Sequence, residues 1–236
     1  MTPPDIAIYS QSMGGHRSGE APAGEDFGHG YASHLFERRR LYPTVKEIQS
    51  RRGSRHGYAQ REQKGAWPTV ITEDLKGFIE AQTSVFLATA NAEGQPYIQH
   101  RGGPAGFLKV LDGKTIGFVD FAGNRQYITS GNLADNAKAY LFLIDYMLRR
   151  RIKIWGTARV VEADAELVAK LMPEGYQARP EQVILFKIAA WDTNCPQHIP
   201  QKFDAADVAA AIAARDGRIA ELEAELAALK ASSPSP

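Results

Sequence analysis

A single cysteine, Cys195, stands in 236 residues. No intramolecular disulfide can staple this fold, so its stability has to come from a packed core. No apolar run approaches the roughly 20 residues that span a bilayer, which excludes a transmembrane helix and leaves no membrane role to expect. Charge of one sign is also missing: 28 Lys and Arg face 27 Asp and Glu, a formal net charge of +1. No overall field draws the chain to nucleic acid or an anionic surface, and any basic site must be local. The six histidines, His16, His29, His34, His56, His100 and His198, lack the paired spacing of metal ligands, so no metal is expected. The start, Met1-Thr2-Pro3-Pro4-Asp5, has neither the basic residues nor the apolar run of a secretory signal, and a cytoplasmic location is expected.

What is present is a 44% hydrophobic content, normal for a globular core, in a chain long enough for one domain plus extensions. Residues 1–63 read as a partly ordered N-terminal extension. They are rich in Gly, Pro, Ser and His at first, then carry Leu35, Phe36, Leu41, Val45 and Ile48 among arginines, as short helices laid over something larger do. Thr72 followed by Glu73 and Asp74 is a helix start, with Leu75, Phe78 and Ile79 forming one apolar face. The period then changes. Ser84 to Ala90, the turn Asn91-Ala92-Glu93-Gly94 and Tyr97 to His100 make one hairpin. Phe107 to Leu111, Asp112-Gly113 and Thr115 to Phe121 make another, and Ala139 to Ile144, Arg151 to Val161 and Val183 to Trp191 add three strands. Close spacing and short turns predict a mainly β fold over residues 64–203, an antiparallel barrel with flanking helices. Residues 204–236 read as a C-terminal helix. Val208, Ile212, Ile219, Leu222, Leu226 and Leu229 fall on alternating spacings of four and three, with Arg215 in the missing seam position. This is the pattern of a short coiled coil, weakened by about 1 kcal/mol at Gly217, or of a helix packed on its own barrel.

Two stretches carry chemistry. Gln99-His100-Arg101-Gly102-Gly103-Pro104-Ala105-Gly106-Phe107 places three glycines in a strand. Either a flat ring or phosphate approaches this backbone, or the glycines form a bulge at a barrel corner. Phe118-Val119-Asp120-Phe121-Ala122-Gly123-Asn124-Arg125-Gln126 ends a strand in a turn with an arginine and two amides, ahead of Ser130-Gly131-Asn132-Leu133. Such a turn can grip a phosphate through the guanidinium and through backbone N–H groups; an exposed Arg that caps the turn is the plainer alternative.

The hairpin order, the Arg-Gly-Gly-Pro strand, the Gly-Asn-Arg-Gln loop and Ile154-Trp155-Gly156-Thr157-Ala158 together resemble the pyridoxamine 5′-phosphate oxidase-related FMN-binding family, over about residues 70 to 203. The segment Trp191-Asp192-Thr193-Asn194-Cys195-Pro196-Gln197-His198 resembles a bacterial subgroup of it. The resemblance implies a split β-barrel that binds FMN between the subunits of a homodimer. It implies that Arg101, Gly102 and Gly103 lie along the ring and ribityl chain, with Val119 and Asp120 in place of a Tyr-Thr pair that touches the flavin. Arg125 and Gln126 fall on the family's Arg-Lys phosphate pair, with Asn124 beside them. Arg151 falls on a ring-edge Gln, and Trp191, Asn194 and Gln197 lie in the segment near the flavin.

Two of these assignments have plain alternatives: Arg149-Arg150-Arg151 can be an exposed basic run, and Trp191 simple packing. Cys195 is read as a small buried hydrophobe ahead of a redox thiol. The Lys, Tyr, Arg and Ser set that holds pyridoxamine phosphate in the family has no convincing counterparts, which argues against vitamin B6 oxidation. The expected function is therefore an FMN-dependent oxidoreductase with a small-molecule electron donor and acceptor, such as NAD(P)H and oxygen. The rival is a barrel that binds flavin, deazaflavin or haem without turnover.

Overall fold

The structure is a computed structural model and describes residues 41–65, 67–193 and 196–232. The expectations for residues 1–40, among them Leu35 and Phe36, and for Asn194 and Cys195 lie outside the described residues. Two short helices, α1 (Pro43–Arg51) and α2 (Arg55–Gln63), precede the barrel. Pro43 supplies the preset φ of a first helical position. Lys46 and Arg55 both reach Glu62, at 3.0 Å and 2.6 Å, and tie the two helices together. Leu41 packs with Trp67 and Ala190, and Arg61 meets Asp192 at 2.8 Å, so the pair is anchored to the main sheet. Ile48 is exposed and takes no part in that contact.

Helix α3 (Glu73–Glu80) starts where Thr72 Oγ1 accepts a hydrogen bond from Leu75 N, with Glu73 and Asp74 in its first turn. Its buried face, Leu75, Phe78 and Ile79, enters the core. The strands are β1 (Ser84–Ala90), β2 (Pro96–Gly102), β3 (Lys109–Asp112), β4 (Thr115–Phe121), β5 (Lys138–Asp145), β6 (Arg150–Val161) and β7 (Pro180–Thr193). They form one seven-stranded sheet in the order β2-β1-β5-β6-β7-β4-β3. Every pairing is antiparallel. Alternation in β1 turns Val85, Leu87 and Thr89 inward; Ile152 and Ile154 do the same in β6, beside Arg151 and Lys153 on the other face. Fully buried Leu75, Val85, Phe107, Phe118, Ile152 and Phe186 belong to the main core, each contributing roughly 1.5–3 kcal/mol by leaving water.

The sheet curls because β6 and β7 slip register between Trp155 and Gly156. Gly156 is required there, since a Cβ would overlap the Lys187 carbonyl oxygen. The curl brings the sheet's far sides together: Arg101 of β2 forms an ion pair with Asp120 of β4, strands that share no ladder. Helices α4 (Ile128–Asp135) and α5 (Ala165–Leu171) cross between strands, and α5 covers a second small core of Val119, Leu171 and Val183. The last element is α6 (Ala205–Ser232). Its seam residues are exposed, so the chain's own barrel does not cover them. No helix among the described residues is long and apolar enough to cross a membrane.

Candidate functional site

Past the end of β4 the backbone turns sharply, with Arg125 at φ 58° and Tyr127 at φ 52°. Both lie in the left-handed region that side chains other than glycine seldom adopt, and such strain concentrates at ligand sites. Asn124 Oδ1 accepts from Gln126 N at 3.2 Å and stabilises the turn. Helix α4 starts next, and Tyr127 supplies no side-chain cap, so the helix start presents N–H groups and the positive end of its dipole. The opening turn of α4 also carries Thr129 and Ser130.

This turn, β2 and the starts of α4 and β7 enclose a cavity of about 210 Å³. Arg101, Asp120, Asn124, Arg125 and Gln126, all expected at the site, line it together. Arg101 Nε lies 2.8 Å from Asp120 Oδ1, and Gln182, the register partner of Asp120 on β7, donates Nε2–H to Oδ2 at 2.9 Å. The same Gln182 nitrogen lies 3.0 Å from Ser130 Oγ. Burial pushes the Asp120 carboxyl above its ordinary value; Arg101 and Gln182 oppose the rise and Glu181 adds to it. On the rim, Tyr127 donates its hydroxyl to Glu181 at 2.7 Å, which raises the phenol. Arg125 makes no ion pair among the described residues and faces the same cavity. The arrangement offers one compensated guanidinium, one uncompensated guanidinium and a helix start, a donor set suited to a bound anion.

Other expected residues lie elsewhere. Gly102 and Gly103 do not line the cavity. A Cβ on Gly103 would strike the Phe107 side chain, and one on Gly102 would crowd His100 and the Thr83 carbonyl. Close approach by the chain itself is enough to require glycine at Gly103, whereas at Gly102 the neighbours would only have to yield slightly. The Val119 side chain is buried in the second core. Arg151 sits on β6 beside Lys153, on the sheet face opposite Ile152. Trp191 packs against the main core and donates Nε1–H to Val70 O at 2.9 Å. Gln197 is exposed in the turn after β7. Gln99 and Ser130, which lie in the two stretches singled out from the sequence without a role of their own, also line the cavity, as do Tyr127, Thr129, Glu181 and Gln182, which were not expected there. Gln99 shares a strand face with Arg101, two positions on, and Gln182 is a polar break ahead of the apolar run of β7; both signals were present. Among the described residues no group of His, Cys, Asp and Glu is arranged to hold a metal ion.

A curled antiparallel sheet with an anion-suited notch at the end of β4 defines a split-barrel protein. The chain belongs to the pyridoxamine 5′-phosphate oxidase family, whose model matches residues 71–195, more than half its length. Among solved structures it is similar to HupZ of Group A Streptococcus, with 23% identity over 56% of this chain and 99% of that one and a TM-score of 0.44. It is also similar to an FMN-binding protein of Syntrophomonas wolfei (16% identity, 63% and 97% of the two chains, TM-score 0.41). HutZ, the haem storage protein of Vibrio cholerae, is a further likeness (15%, 52% and 93%, TM-score 0.36). No curated protein matches.

Proposed function

We propose that this protein is an FMN-dependent oxidoreductase that works as a homodimer on a substrate other than pyridoxamine phosphate. The observation that carries the reading is the uncompensated Arg125 beside the start of α4, in one cavity with Arg101 and Asn124. A phosphate monoester suits that donor set: Arg125 supplies two parallel N–H donors, and the helix start adds fixed positive potential. When bound, FMN supplies a hydride acceptor at its N5, and no side chain of the cavity has to form a covalent bond. The chain's part is to hold and orient. Arg125 and the α4 backbone grip the phosphate end, and Arg101 is held in place by Asp120.

The cavity's volume supports the dimer. About 210 Å³ is below the roughly 300–1,000 Å³ of usual cofactor pockets, so one chain encloses only part of a mononucleotide. The outer face of the sheet carries Phe86, Phe142, Tyr140 and Trp155, the last two edge-on at 5.2 Å, and such a face is suited to a second copy. Arg151 belongs to that face, where a partner's flavin is within its reach only in a dimer. A haem reading finds less support: His100 Nε2 is engaged by Ser84 Oγ at 2.7 Å.

The test is the absorbance spectrum of the purified protein, with the extracted cofactor identified by mass. A flavin band that bleaches under NADH or NADPH and returns in air supports the enzyme. A bound flavin that never bleaches with any donor supports storage or sensing, and a Soret band or failure to take up added FMN sinks the flavin reading.

A further inference from the structure

Helix α6 leaves the barrel after Phe203 and stays exposed along its whole seam, with Val208, Ile212, Ile219, Leu222, Leu226 and Leu229 between 44% and 67% accessible. Six large aliphatic side chains in one line are costly to leave in water and need a cover. Their spacing puts Ile212, Ile219 and Leu226 at heptad position a, and Val208, Arg215, Leu222 and Leu229 at position d. The flanking rows follow. Position e holds Asp216, Glu223 and Lys230, and position g holds Arg218 and Glu225.

We propose that the occupant of this seam is α6 of a second copy, in parallel and in register. The charges select it. In a parallel pair, g of one helix faces e of the following heptad on the other, which sets Arg218 against Glu223 and Glu225 against Lys230, each twice by symmetry. Arg215, the one polar seam residue, faces its own copy across the seam, and each of the two guanidiniums has position e of the other helix, Asp216, beside it to offset the like charge. The seam's apparent fault thus carries its own counter-ion and fixes the register, since any slip by a heptad sets Arg215 against an aliphatic residue. An antiparallel pair is mixed: g meets g and sets Arg218 against Glu225, but e meets e and brings Asp216 against Glu223, and each Arg215 faces a Leu226, so two opposite-charge pairs are offset by two like-charge pairs. Within a single helix, Arg218 already reaches Glu221 at 2.7 Å and Glu225 at 3.8 Å, so this row is ordered before the second copy arrives. The seam is independent of the cavity and needs no cofactor.

The test uses the full chain in a Cys195→Ser background. Val208→Cys places a thiol at position d near the helix start, where parallel helices bring it against its own copy and antiparallel ones separate the two by more than half the helix. Ala210→Cys, at outward position f, is the control. Gentle oxidation is expected to convert Val208→Cys into a disulfide-linked dimer and to leave Ala210→Cys unlinked. Equal linkage of the two, or none in either, overturns the proposal. Adding Glu223→Arg to Val208→Cys sets like charges face to face and is expected to lower the linked fraction, and adding Arg218→Glu to that variant is expected to recover it. A third substitution that recovers nothing overturns the parallel register.

Discussion

The guanidinium of Arg125 makes no ion pair among the described residues, whereas Arg101, on the other side of the same cavity, is bound to Asp120. These residues therefore answer differently to substitution. Arg125→Ala removes a charge-assisted contact to phosphate worth roughly 1.5–3 kcal/mol, so FMN binding is expected to weaken about ten- to a hundredfold. Riboflavin, which has no phosphate, should bind as before. Parallel fluorescence titrations with both ligands check this, and equal loss for both would mean that Arg125 supports the turn and not the ligand. Asp120 contributes to the pH dependence of stability. Its carboxyl is raised by burial more than Arg101 and Gln182 lower it, so the folded protein binds a proton more tightly there than the unfolded chain does. Between the two values stability falls as pH rises. Asp120→Asn cannot titrate and is expected to flatten that decline in urea midpoints measured from about pH 4 to about pH 7. Glu62 and Asp74, whose carboxyls are lowered by their arginine and lysine partners, act in both proteins and cancel in the comparison. Superimposable curves would assign no titration to Asp120.

At the scale of elements, the strands were legible because short apolar runs bounded by turn residues stand out in the chain: β1 runs from Ser84 to Ala90 as its apolar run predicts, and the hairpin turns fall at Gly94 and Gly113. Helix α4 was not legible as a helix. Ile128, Thr129, Ser130, Gly131 and Asn132 are poor helix formers, and tertiary contacts hold them: Asn132 donates to Thr89 at 3.0 Å, and Leu133 is buried. Of the site, the arginine turn was readable from its own residues, but Glu181 and Gln182 join it only through the β4–β7 register, which no local pattern encodes. The glycines after Arg101 do mark close approaches, but the groups that approach are the chain's own: Phe107 at Gly103, and His100 with the Thr83 carbonyl at Gly102. Two glycines make the contrast measurable. Gly156→Ala drives a methyl into the Lys187 carbonyl at the bulge and is expected to cost about 3 kcal/mol or more, read as a lower urea midpoint. Gly217→Ala meets nothing within 4 Å and should stabilise α6 by about 1 kcal/mol, read as a higher helix melting temperature by circular dichroism.

For the whole molecule, the proposed homodimer sets a clear expectation: light scattering at micromolar concentration should report twice the chain mass with flavin bound. A flavin-loaded monomer would remove the reason for placing a shared cofactor between subunits. Ile98, 60% exposed on edge strand β2, offers the counterpart test. In a chain cut after Phe203, where α6 cannot hold two copies together, Ile98→Asp should disperse a dimer built on the outer sheet face without touching the main core, and unchanged mass would place the interface elsewhere.

The curled sheet closes where β2 meets β4. Their junction is made by the Arg101–Asp120 pair and not by a shared ladder, so the ring has a clasp that can part while every strand keeps its own neighbours. Amide hydrogens along the free edge of β2 are therefore expected to exchange with solvent faster than those of β6, which is laddered on both sides. A ligand seated in the cavity touches both halves of the clasp and should slow exchange at β2 and around Asp120 together, leaving β6 unchanged. Exchange mass spectrometry with and without FMN reads this directly, and slowing confined to the arginine turn would mean that the ligand holds one side of the gap and leaves the ring free to breathe.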